Sequence, residues 1–181
     1  MAIPLSPRAL RTKAIEPTQQ LLVFSLRQEQ FALPLAVVQQ VVPVDRLYGN
    51  PSGAAMGFTL TQGREIPVIP ICQRIFGNVW QAEELGDRSE LSTPRETASY
   101  LVLVQNLHSE TVGLPLSCLP TLQRVPKSAF KPLSATYLSE GDIRCVVGLV
   151  VLTSEESPIF LLSLTQLLEP KAALLPGQAG L

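Results

Sequence analysis

Short apolar runs broken by turn formers recur along this chain from Leu21 to Leu168, and few of them are long enough for a helix. Leu21–Leu26 is apolar and β-prone. A polar turn at Arg27–Gln30 follows, and Phe31–Leu35 completes a predicted hairpin. Ala36–Gln40 predicts one helical turn and Val41–Val44 a β-branched strand. Tyr48–Gly57 (YGNPSGAAMG) is rich in turn formers and reads as a loop. Phe58–Thr61 and Ile66–Ile69 are predicted strands around a Gln62-Gly63-Arg64 turn. Pro67 and Pro70 cannot donate to a ladder, which places that second strand at an edge or in an interrupted pairing. Cys72–Phe76 predicts a short helix stopped by Gly77.

The stretch from Asn78 to Ser99 is the longest polar one, with a helical turn expected near Trp80–Leu85, and it reads as a linker. The apolar pattern then restarts. Tyr100–Gln105, Thr111–Leu116 and Leu122–Val125 are predicted strands, and Val125–Tyr137 is irregular. Cys145–Leu152 and Ile159–Leu162 are the last strands, and Leu164–Leu168 is predicted as a terminal helix. About ten short strands, roughly 8–12 residues apart, with little helix, point to a mainly β protein built from small barrels.

The pattern also repeats. FALPLAVVQQV (Phe31–Val41) returns as VGLPLSCLPTL (Val112–Leu122), with Leu33-Pro34-Leu35 on Leu114-Pro115-Leu116. Gly57–Ile71 superposes on Gly148–Leu162, with Pro67 falling on Pro158. Two echoes in the same order predict one β-rich unit built twice, hence two pseudo-symmetric barrel lobes in tandem. Their expected bounds are residues 20–77 and 99–169, joined by a linker of residues 78–98 and flanked by flexible tails at 1–19 and 170–181. A seam between two such lobes is the natural place for a partner, being concave and lined by both cores.

Composition narrows the function. Hydrophobic residues make up 46% of the 181 and the net charge is −1. No basic run could draw nucleic acid or an anionic membrane surface. No apolar stretch approaches the roughly 18 residues of a spanning helix. The amino terminus lacks the apolar core and cleavage site of a secretion signal. Cys72, Cys118 and Cys145 each sit in an apolar run, so reduced, buried thiols of a cytoplasmic protein are expected.

Catalytic equipment is missing from the motifs. The single histidine, His108, lies in the predicted turn Asn106–Glu110, and no nucleophile motif, phosphate-cradling glycine loop or metal-ligand spacing accompanies it. The expectation is a protein that is not an enzyme, carries no cofactor or metal, and works by presenting grooves and sheet edges to other proteins. Two other readings are a barrel module binding a small ligand such as a lipid or flavin, and a structural subunit that self-associates through strand edges. Barrels of this size are filled by side chains, which leaves a ligand little room.

The run LLVFSLRQEQFALPLAVVQQV, the Gly57–Ile71 segment, VGLPLSCLPTL and the closing GLVVL…PIFLLSLTQLL together resemble a CheW-like domain. That family provides the adaptor of bacterial chemosensory arrays and the regulatory domain of the array histidine kinases. The resemblance covers about residues 20–169. It implies two five-stranded barrels around a shared apolar core. It also implies a role in signal transduction, bridging the cytoplasmic helical tip of a methyl-accepting chemoreceptor to the regulatory domain of a CheA-type histidine kinase. The protein would then be cytoplasmic, at membrane-associated receptor arrays, without inserting into the membrane.

Carried over position by position, the resemblance predicts that Val38, Gln40, Gln62, Gly63 and Arg64 line a receptor-facing groove, and that Gly57 and Phe58 meet the kinase. Several charged motif positions are neutral here. Gln40 replaces an acidic residue, and Leu60-Thr61-Gln62-Gly63 stands for the family's Asn-Leu-Arg-Gly turn, with Arg64 two positions beyond the expected arginine. Pro70, Ser117 and Ser163 occupy other acidic or amide positions. Either these positions tune turns and stability, or the partner surface has been rewritten for a specialised array, such as one controlling pilus motility or phototaxis.

Overall fold

Strand alternation decides how this chain packs, because runs such as Leu21–Phe24 and Leu101–Val104 bury apolar residues on both faces. In the computed structural model, residues 16–44, 46–48, 57–77, 98–134, 137, 143–153 and 157–169 are described. Eleven strands are formed there: β1 (Thr18–Leu26), β2 (Glu29–Pro34), β3 (Val38–Pro43), β4 (Gly57–Thr61), β5 (Arg64–Val68), β6 (Tyr100–Gln105), β7 (Thr111–Leu116), β8 (Thr121–Pro126), β9 (Phe130–Lys131), β10 (Val146–Val150) and β11 (Ile159–Leu162). Two short helices, α1 (Ile71–Phe76) and α2 (Leu164–Leu168), follow β5 and β11.

The strands make two sheets, ordered β8-β1-β2-β11-β10-β9 and β3-β6-β7-β5-β4. Matching β1 to β5 of the first half with β6, β7, β8, β10 and β11 of the second makes the two orders identical, apart from the extra β9. The duplication is therefore visible in the topology. The sheets do not coincide with the halves of the chain, however. Hairpin β1–β2 is completed by β8, β10 and β11 from the second half, and hairpin β6–β7 by β3, β4 and β5 from the first. A lobe taken as residues 20–77 or 99–169 thus mixes strands of both sheets. The cause is that β3 and β8 each leave their own hairpin and pair with the first strand of the other copy.

The echo of Phe31–Val41 in Val112–Leu122 holds in register. Leu33 lies opposite Leu22 and Leu114 opposite Val102, while Val41 and Leu122 pair with those same two residues. The second echo holds at Gly57 and Gly148 but slips afterwards. Val68 pairs with Gly113, and the equivalent contact to Ala32 is made by Leu161, so Pro67 corresponds to Phe160 and not to Pro158. The slip arises in the connection. Gln62 and Gly63 alone join β4 to β5, whereas Val151–Pro158 join β10 to β11.

Local predictions fare differently according to their neighbours. The Gln62-Gly63 turn has positive φ at both residues (52° and 75°), as a tight primed hairpin turn requires. The helical turn after β2 is a 3₁₀ turn at Leu35–Val37, and β3 begins at Val38. Strand β5 is not an edge, since it lies between β4 and β7. Its pairing is interrupted all the same, meeting β7 in the single register pair Val68–Gly113. The predicted helical turn near Trp80–Leu85 and most of the Tyr48–Gly57 loop lie outside the described residues.

Three apolar clusters are formed among the described residues. The largest draws on both sheets and both helices, with Leu22, Phe24, Phe31 and Leu33 from one side, Val102, Val104 and Leu114 from the other, and Ile75 and Leu167 from the helices. Leu21, Val23 and Ala32, on the opposite face of β1 and β2, join Val125, Val150 and Ile159. Leu101 and Leu103 do the same in the second sheet with Val42, Ile66 and Val68. The space between the sheets is therefore packed core. The thiols depart from expectation: Cys118 is exposed, and Cys72 and Cys145 are only half-buried. Apolar neighbours in sequence do not bury a residue that precedes an edge strand.

Candidate functional site

A cavity of about 490 Å³ opens on the second sheet, between the start of β3 and the tip of the β4–β5 hairpin. Gln39 and Gln40 form one wall, Gln62, Arg64 and Glu65 the other, and Glu110 and Thr111 at the start of β7 close one end. Leu103 and Ile66, both members of the second sheet's apolar cluster, also line it. Every one of these residues belongs to the strands of a single sheet or to the turns that join them. The groove is thus built on one sheet and not at the seam between the two.

Two consecutive glutamines can face the same groove because β3 is irregular there. The register with β6 shifts between Val38 and Gln40, which leaves Gln39 as an extra residue. A bulge of this kind re-aims side chains that strict alternation would send to opposite faces. The Thr111 hydroxyl donates to Gln39 Oε1 at 3.3 Å, tying β7 to the bulge. Across the groove Gly63 permits the tight turn that projects Gln62 and Arg64. Arg64 is exposed, and its side chain has no hydrogen-bond or ion-pair partner among the described residues.

The structure therefore brings three of the expected positions together: Gln40, Gln62 and Arg64. Gly63 supports them from the turn. Val38 does not line the cavity; it is half-buried against the shared core. Gly57 and Phe58 lie elsewhere, on the edge strand β4. Gly57 is buried, while Phe58 is 37% exposed and stacks on Tyr48 with ring centroids 5.2 Å apart. Backbone bonds in both directions between Tyr48 and Phe58 cover the outer side of β4 at that point. Gln39, Glu65, Glu110 and Thr111 were missed from the sequence. The adjacent pair Gln39-Gln40 was a readable signal, since two polar residues in a row break a strand's alternation.

A family model for a CheW-like domain matches residues 20–171. The chain belongs to the CheW-like domain family. The crystal structure of the scaffolding protein TtCheW from Thermoanaerobacter tengcongensis has the same fold. It aligns with a TM-score of 0.58 at 21% sequence identity, covering 85% of this chain and 94% of that one. Among curated proteins, none matches the sequence significantly.

Two of the neutral positions in this CheW-like domain stand at helix starts. Ser163 is the N-cap of α2, where its hydroxyl accepts from the Gln166 backbone N–H at 3.4 Å. Pro70 is the N-cap of α1, where no side chain caps the helix. These are positions at which an aspartate would serve a helix start as readily as it would a partner. Among the described residues, no helix is long and apolar enough to cross a membrane.

Proposed function

We propose that this CheW-like protein is a non-enzymatic adaptor of a bacterial chemosensory array, coupling the cytoplasmic helical tip of a methyl-accepting receptor to the regulatory domain of a CheA-type histidine kinase. The observation that carries the reading is the groove: Gln40 from β3, and Gln62 and Arg64 from the β4–β5 turn, line one cavity although separate stretches of chain supply them. Family membership and a fold shared with a protein described as a scaffold support it.

The groove's chemistry suits a polar helix face. Glutamine amides donate and accept at once, Arg64 offers a fixed cation, and Leu103 and Ile66 give an apolar floor for one aliphatic side chain. Gly57 and Phe58 on β4 form a separate contact, which the reading assigns to the kinase. The adaptor then acts in the cytoplasm, at the receptor array. Neutral residues in place of the family's charges fit a specialised array, such as one driving pilus motility or phototaxis, because charge complementarity governs partner choice more than affinity.

Titration calorimetry against a receptor tip fragment and a kinase regulatory domain tests this. Arg64→Glu should weaken receptor binding about tenfold, which corresponds to ~1.4 kcal/mol, and leave kinase binding and thermal stability unchanged. Binding of neither fragment by the native protein would overturn the assignment. Recovery of only a flagellar-type receptor and kinase by pull-down would overturn the specialised array.

A further inference from the structure

The groove follows the edge of a strand. A β-strand sends alternate side chains to opposite faces, so a cavity on one face meets every second residue. Strand β5 instead lines this one with four residues in a row, Arg64, Glu65, Ile66 and Pro67, and the start of β7 adds Glu110 and Thr111. A gap in the plane of the sheet, between β5 and β7, meets consecutive residues of both strands in this way.

Pro67 accounts for the gap. Val68 pairs with Gly113, and the Ile69 backbone N–H donates to the Gly113 carbonyl at 2.9 Å. The next carbonyl of β7 on that side belongs to Thr111. The residue placed to donate to it lies two before Ile69, and that residue is Pro67, which has no N–H. The first sheet has the closed form of the same ladder. There Phe160 stands in the place of Pro67, and pairing runs on through Phe160–Phe31 and Ile159–Gln30. One imino acid thus leaves the second sheet open where the first is sealed, with the Thr111 carbonyl facing the opening.

Counting back along both strands from the Val68–Gly113 pair sets Glu65 opposite Glu110 across the gap. Both are exposed. Asn106 Nδ2 donates to Glu110 Oε2 at 2.8 Å, which steadies that carboxylate. We propose that the gap is a slot for one cationic side chain of the receptor helix, whose N–H groups give the Thr111 carbonyl the donor that Pro67 lacks and whose charge lies between Glu65 and Glu110. Pro67 is a positioning residue that keeps the slot open. That the occupant comes from a receptor rests on the function proposed above; the slot and its ligand class rest on the sheet alone.

The probe is N-acetylarginine methylamide, titrated into the full ¹⁵N-labelled chain. It should shift the amides of Glu65, Ile66, Thr111 and Val112 at millimolar concentration, and the norleucine analogue should not. Pro67→Val gives position 67 an N–H. That amide should be protected from hydrogen exchange as the ladder closes, the arginine shifts should vanish, and the receptor tip fragment should bind about tenfold more weakly, with thermal stability held or raised. Glu65→Lys, at an exposed position, should weaken both ligands and leave the ladder as it is. Absence of shifts with the arginine probe, equal shifts with the norleucine analogue, or undiminished arginine binding in Glu65→Lys would overturn the proposal. So would a freely exchanging amide at position 67 in Pro67→Val. Arginine shifts at the slot, with no binding of the receptor fragment by the native protein, would support the slot and overturn the receptor reading.

Discussion

Pro70 and Ser163 hold the same place in the two copies, each standing immediately before the short helix that follows a parallel strand, yet only Ser163 caps its helix with a side chain. The difference is one oxygen. At α2 the hydroxyl satisfies a backbone donor of the first turn, and at α1 the proline has nothing to offer it.

Pro70→Asp should therefore stabilise the protein by about 1 kcal/mol through a new cap on α1, offset in part by the backbone freedom that proline removes from the unfolded chain. Differential scanning calorimetry would register a rise of about 2–4 °C for a domain of this size. A fall in melting temperature would mean that the proline ring contributes more to the α1 junction than a cap can.

Gly113 lies under Leu101 in the second sheet, where an added Cβ would come 2.6 Å from Leu101 Cδ2 and 2.7 Å from its Cγ. The first copy has Ala32 at the equivalent place, fully buried, so a methyl group is accommodated there in one sheet. Gly113→Ala should cost about 1–3 kcal/mol by overpacking. Urea denaturation would measure it, and a neutral result would show that Leu101 can swing aside.

Phe24 is 4% exposed in the shared core. Its truncation to alanine should cost about 3–5 kcal/mol. Leu122→Ala, on the same sheet but at its bare edge, should stay within about 0.5 kcal/mol of the parent. The contrast between the two unfolding curves tests the burial pattern directly.

The three thiols should react in an order set by burial. Cys118 is exposed and should be alkylated first near neutral pH, with Cys72 and Cys145 lagging. Burial pushes the Cys145 thiol above its ordinary range, partly opposed by Arg74 and Arg144. A raised folded-state value favours the protonated thiol in the native protein. The associated stability is thus complete below the unfolded thiol's pKa, about 8.5, and is lost as pH rises through the folded value. Mass spectrometry of timed iodoacetamide labelling would read the order, and early modification of Cys145 would contradict it.

Much of this architecture could be read from local pattern. Tyr100–Gln105, Thr111–Leu116, Ile159–Leu162 and α2 fall where alternation, turn formers and helix signals put them, because each depends on residues close in the chain. The tight Gln62-Gly63 turn was legible for the same reason, since only a glycine accepts its second φ cheaply. The repeat within Phe31–Val41 and Val112–Leu122 was legible because its opening residues, Phe31–Leu33 and Val112–Leu114, are buried in both copies. Of the groove, Gln40, Gln62 and Arg64 were marked out only through family resemblance, and Gln39 was passed over although the pair Gln39-Gln40 breaks the strand's alternation.

The sequence by itself determined that strands would form, that they would form twice, and that the charges would stay outside the apolar runs. Tertiary structure alone decided which strands pair. An apolar alternating strand fits either sheet equally well as a local object, so the exchange of β3 and β8 between the two copies follows from which arrangement buries the shared core. It also decided that Val41 would be covered and Leu122 left bare, since equal residues in equal patterns differ only in what the rest of the fold lays against them.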